Sequence, residues 1–235
     1  MDYPITKQEY DRIRTLLYEE SGISLGENKQ SLVVSRLSKR LRELEIDSFA
    51  AYYDQVTQDD SGGEFTRMLD LLSTNKTDFF REPKHFDYLR DRILPTLERD
   101  KRIRIWSSAC STGEEPYTIA ITLHEHVKNP ASWEMDILAS DISTRVLAHA
   151  AAGLYGEDRI TTVSPDIARR HFLKGRGKSA GLVKVKPHLS KLIKFRRLNL
   201  MSDTFPIKSP LDLIFCRNVM IYFDRPTQER LIAKF

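Results

Sequence analysis

The chain has 235 residues, of which 40% are hydrophobic and 30% are charged, as in a globular protein of one or two domains. No hydrophobic run reaches the roughly 20 residues of a membrane span, and MDYPITKQEY is no secretory signal, so a cytosolic protein without membrane insertion is expected. The net charge of +4 suits an acidic partner surface but is too small to indicate nucleic-acid binding.

The N-terminal part of the chain is predicted to be helical. Thr6 and Glu9 have the spacing of a capping box, and Gly22 marks the expected end of the first helix. A second helix is expected from about Lys29 to Glu45. Its buried stripe is predicted to be Val34, Leu37, Leu41 and Leu44. Two more helices should flank the loop at residues 59–63.

After Lys101 the pattern alternates between strands and helices. Strands are expected at residues 102–107, 135–140, 192–198 and 211–216, and helices at 115–127 and 143–152. This alternation predicts an open parallel sheet covered by helices.

Residues 153–190 interrupt the alternation. Ser164 and Pro165 look like a helix start, and a glycine-rich turn at 175–181 precedes an exposed alternating strand at 182–186. We interpret this stretch as a small β-containing insert.

The two cysteines, Cys110 and Cys216, are far apart in sequence and neither belongs to a CxxC pair. A disulfide framework or a zinc site is therefore not expected, and no metal is predicted. Both thiols should be reduced and lie near strand ends.

The strand, turn and helix at residues 103–117 form a candidate ligand site, because a helix N-terminus offers free amide donors beyond a strand end. Gly113 stands alone, so the GxGxxG dinucleotide pattern is absent. Glu114 and Glu115 would repel pyrophosphate, which favours a ligand without phosphates. An ordinary helix cap fits this segment equally well.

Asp141 directly follows the second expected strand, where an acid can accept hydrogen bonds from both ribose hydroxyls. Alternatively, Asp141 caps the helix that begins near Ser143. Together with the turn around Gly113, the position of Asp141 favours nucleoside binding.

Two further segments carry candidate site residues. Residues 74–83 place polar groups and two phenylalanines where the helical part meets the sheet part, and residues 211–223 place polar groups after a strand. The alternatives are a capped helix start with Phe79 and Phe80 in the core, and a half-buried aromatic role for Tyr222.

Five motifs in these segments closely resemble the chemotaxis receptor methyltransferase family, CheR. They are TNKTDFFRE at 74–82, WSSACSTGEEPY at 106–117, LASDIS at 138–143, LNL at 198–200 and FCRNVMIYF at 215–223. The resemblance extends from near residue 10 to the end of the chain, with the motifs in family order.

The resemblance implies an α/β fold: a helical N-terminal domain with its linker at 1–82 and a Rossmann-like class I S-adenosylmethionine-dependent methyltransferase domain at 83–235. A small antiparallel β-subdomain is expected at about 153–190. Family members add further strands after the helix that begins near Asp224, so the C-terminal strands are expected to be missing from this chain.

The implied reaction transfers methyl from S-adenosyl-L-methionine to glutamate side chains of bacterial chemoreceptors, giving γ-methyl esters and S-adenosyl-L-homocysteine. Arg81 and Tyr222 would lie nearest the transferred methyl. The residues carried over as cofactor contacts are Asn75, Thr77, Arg81, Glu115, Asp141, Asn199, Leu200, Arg217 and Asn218.

The implied partners are the cytoplasmic domain of a chemoreceptor and its C-terminal tail peptide, bound by a monomer. Gly175, Gly177 and Gly181 resemble the loop of family members that dock a tail peptide. The basic face of Arg36, Lys39 and Arg40 resembles the surface for the methylation region, although a merely solvated helix face is the alternative.

Other functions are less compatible with the sequence. A nicotinamide dehydrogenase needs a phosphate-cradling loop, and a nucleic-acid methyltransferase should bind DNA or RNA with steep salt dependence. A non-catalytic receptor-binding module and a methyltransferase with another acceptor both stay open.

Overall fold

The computed structural model describes residues 3–208 and 210–235. Within these ranges no helix has both the length and the hydrophobicity needed to cross a membrane. The helices are α1 (Lys7–Ser21), α2 (Gln30–Glu43), α3 (Phe49–Gln58), α4 (Gly63–Leu72), α5 (Lys84–Tyr88), α6 (Leu94–Leu97), α7 (Glu114–His126), α8 (Thr144–Ala152), α9 (Pro165–His171), α10 (Pro187–Ser190) and α11 (Arg225–Lys234). The strands are β1 (Arg102–Ser107), β2 (Glu134–Asp141), β3 (Leu154–Gly156), β4 (Phe172–Lys174), β5 (Leu182–Val185), β6 (Ile193–Arg197) and β7 (Leu213–Phe215).

The chain folds into two compact units. A helical unit comprises Met1–Asn75, Asn199–Phe205 and Asn218–Phe235, and a sheet unit comprises Lys76–Leu198 and Pro206–Arg217. The domain boundary expected between residues 82 and 83 stays a prediction.

In the helical unit, α1 begins and ends as its sequence predicts. The side chains and backbone N–H groups of Thr6 and Glu9 form the reciprocal capping box. Gly22 ends the helix in the left-handed conformation, at φ +73°. The buried face of α1 includes Tyr10, Ile13 and Leu17.

The predicted buried stripe of α2 is partly wrong. Leu37 and Leu41 are buried as expected, but Val33 is buried in place of Val34, and Leu44 is only half-buried. The helix packs against α4, and its buried face shares Leu37 and Leu41 with the predicted stripe but is centred closer to Val33.

In the sheet unit, four parallel strands are ordered β6-β2-β1-β7. The chain runs outward from β1 through β2 to β6 and then returns to the other side of β1 as β7. The strand order therefore reverses at β1, and ligands of open α/β sheets bind beyond the carboxyl ends of the strands at such a point. The predicted parallel sheet is confirmed.

Helix α7 is the central covering element of this sheet. Most of its residues are buried because it packs against β2 and β6 and also against α5 and α10. Burial of Glu114 and of Pro116–Leu123 fixes the first part of the helix, and with it the position of its N-terminal turn after β1.

The insert forms a small antiparallel sheet ordered β3-β5-β4. The strand expected at 182–186 is present as β5, but it is the central strand rather than an exposed one, with Val183 and Val185 buried. Its partners β3 and β4 have only three residues each, too few for a recognisable sequence pattern.

Candidate active site

The carboxyl end of β1 leads into a turn that is tied to both neighbouring strands. The backbone N–H of Ser108 donates to the carbonyl of Phe215 at 2.9 Å, and the N–H of Cys110 donates to the carbonyl of Ser140 at 2.9 Å. These bonds extend the sheet past the last strand residue, so the turn leaves the sheet at a fixed position.

The turn itself is tight and requires glycine at one position. Ser111 and Gly113 both have positive φ, at +48° and +97°. A Cβ on Gly113 would lie 2.8 Å from the Cβ of Ala150 and 2.9 Å from the hydroxyl of Tyr155. The turn after β1 therefore presses against α8 and β3, and a larger residue would displace it.

Asp141, at the end of β2, faces this turn. Its Oδ2 accepts from the backbone N–H of Ser111 at 2.9 Å, and its Oδ1 accepts from the N–H of Ser143 at 3.0 Å. Ser143, not Asp141, caps α8, since its hydroxyl accepts from the N–H of Val146. The alternative of Asp141 as the helix cap is therefore wrong, and its carboxylate is instead oriented by two backbone donors.

Glu115, in the first turn of α7, pairs with Arg217, which follows β7. The Glu115 carboxylate accepts from the Ser107 hydroxyl at 2.7 Å and from Arg217 Nη1 at 3.0 Å. Burial raises the pKa of the Glu115 carboxyl above its ordinary value, and the bonds from Ser107 and Arg217 oppose that rise. Burial thus disfavours the ionised form of Glu115, and the hydrogen bonds from Ser107 and Arg217 offset part of that effect.

Arg217 also holds the segment that contains Arg81. Its Nη2 donates to the carbonyl of Arg81 and contacts Glu82 Oε2 at 3.2 Å. Its Nε is buried and has no hydrogen-bond partner within residues 3–208 and 210–235. A buried donor without a partner is unusual in a folded protein, and a ligand acceptor at this edge of the sheet would satisfy it.

The segment that contains Arg81 has a strained backbone. Phe80 and Glu82 have φ of +55° and +56°. Arg81 Nη1 donates to the carbonyl of Lys76 at 2.7 Å. Positive φ at bulky residues costs free energy, and such strain clusters at ligand sites.

One ion pair at the site could not be predicted from the sequence. Glu114 is 1% exposed and its Oε1 accepts from Arg159 Nη2 at 2.6 Å. The same Arg159 group donates to the carbonyl of Thr77. Arg159 comes from the insert, 45 residues after Glu114, and only the folded chain brings the two together.

In the sheet unit, the structure therefore assembles Asp141 with the turn at 108–113, and Glu115 with Arg217 and the Arg81 segment. Thr77 is joined to this group through Arg159. Phe79 is a core residue, as its alternative reading predicted, since it is 1% exposed and packs edge-on against Tyr155 and Phe172.

The remaining site candidates belong to the helical unit. Tyr222 is half-buried, and its hydroxyl donates to the carbonyl of Thr74 at 3.1 Å. The Asn199 amide donates to the carbonyl of Glu20 at 2.6 Å and accepts from the N–H of Met201. Leu200 is buried. Asn75 Oδ1 accepts from the hydroxyl of Ser73 at 3.4 Å, and Asn218 has φ of +57°.

The three basic candidates on α2 differ in their contacts. Arg36 donates to the backbone carbonyls of Leu71 and Ser73, at 3.1 and 2.8 Å. Arg40 pairs with the buried Glu64, with 2.9 Å between Nε and Oε1. The Lys39 side chain is 80% exposed. Only Lys39 of the three is largely surrounded by solvent.

The candidate peptide-docking glycines shape a loop that follows β4. Gly177 and Gly181 have φ of +56° and +83°, and a Cβ on Gly175 would lie 1.9 Å from the carbonyl oxygen of Ser179. Each glycine thus has a conformational reason for its place, independent of any partner.

Comparison with known proteins identifies the family. A model described as "CheR methyltransferase, SAM binding domain" matches residues 75–235, and one described as "CheR methyltransferase, all-alpha domain" matches residues 8–73. Chemotaxis protein methyltransferase 2 of Pseudomonas aeruginosa is 45% identical over 235 residues, which cover 99% of this chain and 82% of the relative.

Two other relatives give similar values. The chemotaxis protein methyltransferase of Klebsiella aerogenes is 41% identical over 99% of this chain and 79% of its own length. That of Borreliella burgdorferi is 42% identical over 98% of this chain and 83% of its own length. The resemblance stated from the motifs is confirmed: the chain belongs to the CheR methyltransferase family and is an S-adenosylmethionine-dependent methyltransferase.

Proposed function

We propose that this enzyme transfers methyl from S-adenosylmethionine to glutamate side chains in the cytoplasmic domain of chemoreceptors, forming γ-methyl esters. The observation that carries the proposal is the group of Asp141, Glu115 and Arg217 at the carboxyl edge of the sheet, within the residues matched by the SAM binding domain. The names of the relatives supply the link to chemotaxis.

The residues at this edge fit the chemistry of the cofactor. The Asp141 carboxyl group suits ribose hydroxyls, because a carboxylate can accept about four hydrogen bonds. Glu115 suits a cationic amino group, and the Arg217 guanidinium, with its buried Nε lacking a partner among the described residues, suits a carboxylate.

The reaction needs alignment more than proton transfer. When bound, the cofactor supplies an electrophilic methyl group on a sulfonium centre. A glutamate acceptor has an ordinary pKa near 4.3 and is already ionised at neutral pH, so no general base is required. Holding the acceptor in line can contribute about 7–11 kcal/mol.

Arg81 and Tyr222 are the proposed positioning groups for the acceptor carboxylate. A guanidinium and a phenol hydroxyl both donate to carboxylate oxygens, and neither group has to lose a proton during transfer. The carbonyls of Lys76 and Thr74, which accept from these two side chains, would release them to the acceptor.

Docking of a receptor tail peptide is also proposed, on the edge strand β4 beside the loop of Gly175, Gly177 and Gly181. Strands β3 and β4 are the outer strands of the small sheet, so each can accept an added strand. The proposal places a monomeric enzyme in the cytosol, where the cytoplasmic domains of receptors lie.

The test is a methyl-transfer assay with isotope-labelled S-adenosylmethionine and a purified receptor cytoplasmic fragment. Glutamyl methyl esters release methanol in mild alkali, so the label should be alkali-labile. It should also be absent from a fragment whose acceptor glutamates are replaced by alanine. Alkali-stable label would contradict a glutamate acceptor while leaving methyltransferase activity in place.

A further inference from the structure

Three histidines of the sheet unit are far apart in sequence but lie close together in the structure. His124 is on α7, His171 is the last residue of α9 and His188 is on α10. One ring nitrogen of each lies within 4.8 Å of the others. None of the three belongs to a site described above.

The separations approach those of a metal site. A zinc ion bound by imidazole at about 2.0–2.1 Å in tetrahedral geometry holds its nitrogens about 3.3 Å apart. His171 Nδ1 and His188 Nε2 are 3.0 Å apart and form a hydrogen bond with each other, and this separation is close to that value. The ring centroids of His124 and His188 are 4.6 Å apart, so the third imidazole lies beside this pair.

The surroundings supply the outer contact that metal-binding histidines usually have. His171 is 1% exposed, and its Nε2 lies 2.6 Å from Glu125 Oε1. Arg170 pairs with the same carboxylate, and its Nε donates to Glu125 Oε1 at 2.9 Å. An anionic Glu125 accepts the Nε2–H of His171, which directs the lone pair of Nδ1 towards His188.

The elements that carry the histidines are fixed independently of any metal. His171 precedes β4 and His188 follows β5, and these strands pair with Phe172 opposite Val185. The N–H of Lys186 donates to the carbonyl of His171 at 2.9 Å. Helix α10 packs on α7, which carries His124. Because the backbone holds the three rings together, a metal would find a largely preformed site.

We propose that His124, His171 and His188 bind one divalent transition-metal ion of the zinc class, with Glu125 holding the outer nitrogen of His171. Three neutral imidazoles suit zinc, and a water would complete four-coordination. The ion would connect the small antiparallel sheet to α7, so it would have a structural role and would not take part in methyl transfer. This departs from the expectation of no metal, which considered only the cysteines.

The test uses the untagged, chelator-treated full chain and titrates it with zinc chloride by calorimetry. We expect one equivalent to bind, with affinity at least tenfold weaker in His124→Ala and in His188→Ala. His126→Ala is the matched control, because this exposed histidine lies on the same helix outside the cluster, and it should bind as the wild type does. Binding of S-adenosylhomocysteine should be unchanged in all three variants.

A second measurement needs no variant. Cobalt(II) in place of zinc should give the intense visible bands of a tetrahedral nitrogen-containing site, and added zinc should abolish them. The proposal is overturned if the folded wild-type chain binds no zinc, if His188→Ala binds zinc as the wild type does, or if the cobalt spectrum is that of the hydrated ion.

Discussion

Asp141 Oδ2 accepts the backbone N–H of Ser111 at 2.9 Å, which joins the end of β2 to the turn after β1. Ser111 adopts φ of +48° in that turn. This hydrogen bond connects the proposed ribose acceptor to the turn beside it, and a second bond from the N–H of Ser143 also orients the Asp141 carboxylate. Because Ser111 donates through its backbone, it is removal of the Asp141 carboxylate that would break this connection.

Gly113→Ala should disrupt this turn by strain and by collision. Left-handed φ costs a non-glycine residue about 1–2 kcal/mol, and the new Cβ would also meet Ala150 at 2.8 Å. We expect urea unfolding to show a decrease of more than about 2 kcal/mol in the free energy of unfolding, because the cost of overpacking adds to the backbone strain. Gly62→Ala is the control, since Gly62 has φ of +64° and open space. Equal losses in the two variants would contradict the close contact at Gly113.

The pKa of Glu115 is raised by burial, which has a definite consequence for stability. The stabilising contribution of Glu115 to the free energy of unfolding is fully present below the pKa of the unfolded state, about 4.3. It is lost as the pH rises through the pKa of the folded state. Glu115→Gln removes this dependence. The difference in Tm between the variant and the wild type should therefore shift in favour of the variant from about pH 4 towards neutral pH. A shift in the opposite direction would show that Arg217 dominates and lowers the pKa of Glu115.

Arg40→Ala should unfold the helical unit more easily, because it leaves Glu64 buried with only Tyr52 as a described partner. We expect the free energy of unfolding to fall by about 2–3 kcal/mol. This is less than the cost of breaking a fully buried ion pair, because Arg40 is partly exposed. Lys39→Ala, on the same helix, should change stability by less than about 0.5 kcal/mol. Chemical denaturation of both variants distinguishes these roles.

A receptor-binding measurement then separates folding from docking. If the basic face of α2 binds the receptor, Lys39→Ala should weaken binding without loss of stability. Unchanged binding by Lys39→Ala would contradict a receptor-binding role for this face. Its other two basic residues, Arg36 and Arg40, already have structural contacts within the helical unit.

Tyr222→Phe and Arg81→Ala should slow methyl transfer with cofactor bound. Loss of one positioning donor is expected to reduce the single-turnover rate by about tenfold or more, with little change in S-adenosylhomocysteine affinity for Tyr222→Phe. Rapid-quench measurement at saturating cofactor tests this. Wild-type rates in both variants would remove these residues from the acceptor site.

Local patterns predicted much of this structure. The strand β1 was predicted at its observed bounds because its alternation is regular and a small-residue turn follows it. The α1 cap and its glycine end follow from local hydrogen bonding and backbone conformation. Motifs at strand ends indicated the site because the carboxyl ends of parallel strands share one edge of a sheet.

Features that depend on distant packing could not be predicted. Val33 rather than Val34 is buried because α4 determines which face of α2 is covered. Arg159 reaches Glu114 across 45 residues. The histidine cluster likewise depends on α7, α9 and α10 coming together, and no spacing along the sequence indicates it.

The most direct test of the account is calorimetric titration of S-adenosylhomocysteine into the wild type, Asp141→Ala and Asp136→Ala. Asp136 is the matched control, since it lies on the same strand but pairs with Lys194 at 2.9 Å. We predict tight binding by the wild type and Asp136→Ala, and at least tenfold weaker binding by a folded Asp141→Ala. Wild-type affinity in Asp141→Ala would contradict the proposed nucleoside site at the end of β2.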